Sequence, residues 1–317
     1  MPNPDESLPL ISIVIPAYNA QKYLALTIKS VKNQTFQGWE CVIVDDGSND
    51  ATAQIAREIA EKDARFRFFG QPNGGVSRAR NFGLEKSNSN TKFVAFLDSD
   101  DLWEPDFLQI LLETLENQPD APAAHCIAST INANGQKINV GLLENDGRQR
   151  YRLQGQRIVR DFNGEATNFS MTAVHHTITT PGCVLIRRAA LQKVGGFNTN
   201  FQVGEDWDLW VRLSRLGDLP LVNQPLLAYR RHQSNSSSNR ALAAQNRQVR
   251  RLIIQSPDNT PQQRQIALTA YRAFYWYLAR DRFQKVGKHL KKRAWKQAGQ
   301  FLVLALVNGA MGLKGRP

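Results

Sequence analysis

The chain has 317 residues, of which 42% are hydrophobic and 21% charged, an ordinary globular composition that excludes fibrous and disordered classes. Its length allows two average domains, or one large α/β domain with an appendage. The net charge of +12 is concentrated at one end: beyond Asp281 lie nine cations and no acid, which argues against a nucleic-acid-binding core and for a specialised basic tail. Cys41, Cys126 and Cys183 have no metal-ligand spacing and read as reduced thiols of a cytosolic protein. The opening MPNPDESLPL has neither the basic nor the apolar region of a secretion signal. No run of 18 apolar residues is present to span a bilayer.

Taken in order, Leu10 to Ile15 reads as a buried strand stopped by Pro16, and Asn19 is suited to cap a helix carrying Tyr23, Leu24, Ile28 and Val31 inward. Trp39 to Val44 is a second strand, ending on Asp45-Asp46-Gly47-Ser48, and a helix with Ile55, Ile59 and Ala60 follows. Phe66 to Phe69 is a short third strand. Asn73-Gly74-Gly75 then leads into a helix bearing Arg78, Arg80, Asn81 and Leu84. Phe93 to Leu97 is an unbroken apolar run, the mark of a strand covered on both faces. Asp98, Asp100 and Asp101 come directly after it, and a helix begins near Pro105. Ala123 to Ile131 is a further strand. Residues 141–170 lose periodicity and read as a long connection with one or two short helices. Pro181 to Arg187 is a strand, Ala189 to Val194 a short helix closed by Gly195-Gly196, and Gly204 to Gly217 a helix with Gly217 as its C-cap. Leu219 to Arg230 holds the last strand, followed by His232 and a serine-rich run at 234–238. Helix continues from about Asn239.

Alternating strands and helices indicate parallel βαβ units. In such a sheet Pro16-Ala17-Tyr18-Asn19, Asp45-Asp46-Gly47 and Asp98-Ser99-Asp100 all fall on one rim, where open α/β sheets bind ligands. Like charges crowded behind a buried strand are costly unless a cation joins them, although DSDD also suits a solvated turn. No G-x-G-x-x-G follows the first strand and no G-x-x-x-x-G-K-[ST] is present, which counts against dinucleotide-binding and P-loop folds.

The segments SIVIPAYNAQKYLALTIKSVKNQTF, WECVIVDDGSNDAT, NGGVSRARNFGL, FVAFLDSDDLWEPDFL and GGFNTNFQVGEDWDLWVRL, in this order, resemble the family 2 glycosyltransferases. The resemblance implies a GT-A fold, a Rossmann-like and mostly parallel α/β sheet flanked by helices. It would span residues 8–235, with a helical, basic extension over 239–317. It further implies an inverting transfer from a nucleotide-sugar, with a UDP-sugar favoured, assisted by Mg²⁺ or Mn²⁺. By the same match Asp100 of the D-x-D motif is the direct metal ligand, and Asp98 turns to the ribose or the metal's waters. Asp101 only caps the next helix. Pro16 and Tyr18 line the donor site, Tyr18 by stacking on the base, worth roughly 1–3 kcal/mol. Asp46 reads the base through the imide N–H of uracil, while Asp45 serves equally as a helix N-terminal carboxylate. Arg80 reaches the nucleotide or pairs with a carboxylate. His232 lies near the diphosphate or metal.

Asp206 matches the catalytic base. Glu205 and Asp208 are its neighbours, but a helix turns Glu205 about 100° away, and Asp208 is explained by the helix dipole. Trp207 is core or an acceptor platform. His175 and His176 have no partner that the sequence names. The implied acceptor is a glycan or a lipid-linked glycan of cell-surface polysaccharide assembly, with the protein in the cytoplasm or peripheral on the membrane's cytoplasmic face.

Two rivals remain open. A nucleotidyltransferase would want a basic, Gly-rich triphosphate loop where PAYNAQ stands, and a binding module without transferase activity would leave the acid set without a task. In the tail, residues 282–313 join seven cations to the apolar run Phe301 to Val307. They read either as a helix resting on anionic lipid or as one packing Phe301, Leu304, Ala305 and Val307 against the domain.

Overall fold

Strands buried along their whole length need cover on both faces, and that requirement organises the first third of the chain. The computed structural model describes residues 9–139, 150–161, 164–201, 203–232, 239–291 and 295–314. β1 (Ile11–Ala17), α1 (Leu24–Lys32), β2 (Trp39–Asp45), α2 (Thr52–Lys62), β3 (Phe66–Gly70), α3 (Val76–Lys86) and β4 (Phe93–Phe96) alternate as the sequence predicts. β1, β2 and β4 are buried along their whole length. All pairings among these strands are parallel, in the order β3-β2-β1-β4. α3 lies so close to the sheet that a Cβ on Gly83 would collide with the Val14 side chain and sit 3.1 Å from that of Val44. That approach fixes Arg80, one turn earlier on the same helix face.

The second half is mixed. β5 (Leu102–Trp103), α4 (Phe107–Glu116), β6 (Ala123–Ile131) and β7 (Lys137–Asn139) come first, then β8 (Tyr151–Gln154), β9 (Arg157–Arg160) and α5 (Phe169–Val174). They are followed by β10 (Val184–Arg187), α6 (Arg188–Val194), α7 (Glu205–Ser214) and β11 (Leu221–Arg230). The main sheet runs β3-β2-β1-β4-β10-β6-β11-β5, with β7 on β6. β10 is antiparallel to both β4 and β6. β11 is parallel to β6 and antiparallel to β5.

Several local expectations change. Asn19 does not cap α1, which starts at Leu24 after Tyr23; it takes a left-handed φ of 48° in the preceding loop, a conformation that Asn tolerates better than most residues. Residues 151–160 form the β8–β9 hairpin rather than a helix, while 141–149 lie outside the described residues. α7 ends at Ser214 with Arg215 at the cap. Gly217 instead lets the chain pass Pro122, which a Cβ would meet at 3.1 Å. The serine-rich run at 234–238 also lies outside the described residues.

The C-terminal helices are α8 (Asn239–Gln255), α9 (Pro261–Lys291) and α10 (Trp295–Lys314). Val249 and Ile253 of α8 and Ala267 and Ala270 of α9 share a core with Phe169, Val174, Trp207 and Val211. These helices therefore complete the packing of α5 and α7. Arg250 is buried there against Phe274 and donates to the Val174 carbonyl at 2.7 Å. Burial pulls its pKa down to about 9.

A buried polar chain closes the middle of the molecule. Arg150 pairs with Asp161 at 3.0 Å and donates to Thr167 Oγ1, which lies 2.8 Å from His125 Nε2. Burial first, then the Arg150 charge, pushes the His125 pKa from 6.5 to about 3. Below pH 6.5 the unfolded chain thus binds a proton that the folded imidazole refuses. Stability is full above that pH and falls on acidification toward 3, by up to about 1.4 kcal/mol per pH unit. Urea denaturation of His125→Gln between pH 7 and 5 should show a shallower acid loss than the native chain; parallel slopes would refute this coupling.

Candidate functional site

The carboxyl ends of β1, β2 and β4 form one rim, and their loops are tied together. The Asn19 amide donates to Ser48 Oγ, Asn19 Oδ1 accepts from the Asn49 amide, both at 2.9 Å, and the Ala20 amide donates to Thr52 Oγ1 at 2.7 Å. Between these anchors Tyr18 stands half exposed over the crevice. Pro16 continues β1 rather than stopping it, opposite Val44 of β2. Pairing of β1 with β4 ends where the Leu97 amide meets the Val14 carbonyl. By strand alternation the missing N–H of Pro16 faces the side where β4 has departed, so no ladder bond is lost.

Asp46 departs from its expected role. Oδ1 accepts from the Gln71 amide at 2.7 Å and the Gly74 N–H at 2.9 Å, and Oδ2 from the Gly75 N–H at 2.8 Å. The residue is 3% exposed, and its carboxylate is taken up in holding the turn before α3. Gly47 makes this possible with a φ of 75°, since a Cβ there would press on the Asn73 backbone. Asp45, at the end of β2, is bonded through Oδ1 to the Ser48 amide. Among the described residues its Oδ2 has no partner.

The Asp98–Asp101 loop is held from five directions. Arg80 donates to Asp98 Oδ1 at 2.6 Å and Thr180 Oγ1 to Asp98 Oδ2 at 3.0 Å. Thr27 Oγ1 donates to the carbonyls of Ser99 and Asp101. Arg230 donates through Nε to the Asp100 carbonyl and through its amide to Asp101 Oδ1, each at 2.8 Å. His232 Nε2 lies 2.7 Å from Asp100 Oδ2, its ring beside that of Tyr23. Burial above all, then the Asp98 charge, raises the Asp100 pKa, against the pull of His232. Asp101 is wholly buried, and burial, then Asp100 and Asp98, lifts its pKa further. It does not cap α4, because β5 intervenes and Asp106 stands at that cap; it anchors β11 instead.

Across the crevice is the N-terminus of α7. Glu205 accepts from Arg80 at 2.8 Å, so one guanidinium bridges Asp98 and Glu205. Arg80 is 3% exposed. It pairs with carboxylates rather than facing the crevice, and supports Asp98 from beneath. Burial opposes its charge, but Asp98 and Glu205 outweigh burial and hold the pKa above the ordinary value. Burial, then Asp206, raises the Glu205 pKa despite Arg80. Asp206 points elsewhere, with Oδ1 accepting from the Trp207 amide and Oδ2 lying 3.1 Å from His176 Nε2. That last contact is electrostatic, off the line of a formed hydrogen bond. Asp208 pairs with Arg212 one turn on. Trp207 is 1% exposed and donates to the Thr172 carbonyl, so it is core and not an acceptor platform.

Sequence reasoning missed Thr180, Arg230 and the role of Glu205. None sits in a local pattern, and only the HH pair at 175–176 stood out without a partner. The donor set suits a hard cation: carboxylates at Asp98 and Asp100 with one imidazole beside them. Among the described residues no three His, Cys, Asp or Glu side chains form a ready-made cage. A divalent ion here would draw its other ligands from phosphate and water, as Mg²⁺ does.

A parallel half-sheet, a D-x-D loop at the end of β4 and an acidic helix facing it define the GT-A type of glycosyltransferase fold. Residues 12–195 match the model for Glycosyl transferase family 2, and the chain belongs to that family. It is 39% identical over 112 residues to the putative glycosyltransferase EpsH of Bacillus subtilis, covering 35% of this chain and 32% of that protein. It is 29% identical over 232 residues to chondroitin synthase of Pasteurella multocida, covering 73% of this chain and 21% of the other. The chain thus spans a third or less of these relatives' length. Among solved structures, S. aureus TarS 1-349 in complex with UDP-GlcNAc superposes with a TM-score of 0.64 at 17% identity. It covers 96% of this chain and 88% of that one, a likeness of fold.

Replacing Arg80 by Met leaves Asp98 and Glu205 without their shared cation, and breaking a buried pair of this kind costs about 3–5 kcal/mol. Thermal denaturation should show Arg80→Met far less stable than the native chain and Arg80→Lys between the two. A melting temperature unmoved by Arg80→Met would remove the bridge as a structural support.

Proposed function

We propose that the protein is an inverting, metal-dependent glycosyltransferase that moves a sugar from a UDP-sugar to a glycan or lipid-linked acceptor in cell-surface polysaccharide assembly. One observation carries the reading: the Arg80 bridge brings the D-x-D loop and the N-terminus of α7 to a single crevice. The UDP-GlcNAc held by TarS in its complex and the polysaccharide synthases among the relatives support donor class and pathway. Work at the cytoplasmic membrane face belongs to the same reading, since a lipid-linked acceptor is confined there. No helix among the described residues is long and apolar enough to cross a membrane.

In this reading Tyr18 offers its ring to the base, and Asp45, with an unbonded oxygen, accepts the uracil imide N–H in place of Asp46. Asp100, assisted by Asp98 and His232, would hold Mg²⁺ or Mn²⁺, which would supply positive charge against the departing diphosphate. Asp206 takes the proton of the acceptor hydroxyl as its oxygen attacks the anomeric carbon. The bond to the diphosphate oxygen breaks on the opposite face, UDP departs with the bonding pair, and the configuration inverts. His176 acts on Asp206 by position: its ring packs beside Trp207 with Nε2 3.1 Å from Asp206 Oδ2, which limits the movement of the carboxylate.

Thermal shift should reveal stabilisation by UDP with Mn²⁺, a weaker response to GDP and CDP, and loss of the metal-linked part in Asp100→Asn. Equal response to all three nucleotides would remove the donor assignment. Asp206→Asn should reduce acceptor-dependent UDP release by about 10²–10⁴-fold while UDP still stabilises the protein; release at the native rate would exclude Asp206 as the base. His176→Ala should lower turnover with donor binding unchanged, and a matching loss of donor binding would make its role merely structural.

A further inference from the structure

The α9–α10 hairpin turns its most apolar surface outward. α10 lies against α9 through Ala305, Asn308 and Gly312, which are buried. Gly312 comes so near Trp276 that a Cβ would stand 3.1 Å from its ring. The opposite side of α10 carries Leu302, Val303, Leu304, Leu306 and Val307, between 41% and 61% exposed. Leu304 and Val307, expected to pack on the domain, are thus on the outer side. On α9, Trp276, Tyr277 and Phe283 are also exposed. Other large exposed apolar side chains, at Tyr18, Leu26, Ile138 and Leu252, are scattered, as on any soluble surface, whereas a contiguous stripe marks an interaction site.

Charge decides what covers it. Residues 282–296 carry seven cations, and no acid follows Asp281. A second copy of the hairpin would add cations without offering an acid from this tail, while anionic headgroups complement both features at once. With α9 covering its inner side, this 20-residue helix presents only its outer apolar side, and cations precede it in the chain, a combination that suits the plane of a bilayer surface. On α9, Tyr277 lies 5.8 Å from Tyr151, whose ring is 5.5 Å from that of His175, the neighbour of His176.

We propose that the outer face of α10, with the cationic junction before it, docks the protein on an anionic lipid surface. This rests on the proposed reading only for its purpose, a lipid-linked acceptor. The docking itself needs neither donor nor acceptor.

The test is co-sedimentation of the full chain with phosphatidylcholine vesicles, with and without phosphatidylglycerol. Binding is expected only with phosphatidylglycerol, weakened by salt. Val303→Gln with Leu306→Gln, and separately Lys288→Gln with Lys291→Gln and Lys292→Gln, should each reduce it by about tenfold or more. Failure to bind, or binding unmoved by both variants, overturns the proposal. So does a native dimer that Val303→Gln with Leu306→Gln turns into monomers, which would assign the face to a second copy. UDP-linked thermal shift, run in parallel, is unaffected by these variants, so failure of the donor reading and failure of the docking show separately.

Discussion

The Arg80 guanidinium, buried beneath the crevice, ties the loop after β4 to the start of α7, and most of the site geometry follows from it. A buried cation is tolerable only when its charge is matched, and here Asp98 and Glu205 match it from opposite halves of the molecule. α3 can present that cation only because Gly83 lets the helix sink onto β1 and β2. Asp46, by binding the turn at Gly74 and Gly75, sets where α3 begins. A glycine, a turn-holding acid and a bridging arginine thus form one mechanical unit.

Next to this unit the Asp98–Asp101 loop concentrates negative charge where burial disfavours it. Burial first, then the neighbouring carboxylates, raises the pKa values of Asp100 and Asp101, and a nearby cation would favour their charged forms. Clamping by Thr27, Thr180, Arg230 and His232 keeps the carboxylates from relaxing away from one another. On the far side, α5 and α7 lean on α8 and α9, and Arg250 binds the last carbonyls of α5, just before the His175–His176 pair. The C-terminal helices therefore contribute to the position of Asp206.

Much of this was legible in the sequence. Mostly apolar runs at 10–15 and 39–44 and an unbroken one at 93–97 announced buried strands, and their regular alternation with helices announced the parallel half. The direction of β10 was not legible, since its pattern is the same whichever way it runs. The hairpin at 151–160 was hidden because its residues are mostly polar and sit on the periphery. α10 shows the same limit: its apolar residues surround the helix almost evenly, so only the position of α9 tells which side is covered.

What the sequence determined by itself was the rim. Parallel strands in succession put Tyr18, Asp45, Asp46, Asp98 and Asp100 at one edge, by a rule that involves only neighbours in the chain. What the tertiary structure alone decided was the task of each acid. Arg80 and Glu205 are 125 residues apart, and Asp100 and His232 are 132. A carboxylate's chemistry depends on the charges and donors within a few ångströms, and chain separation on that scale leaves no local trace of which they are.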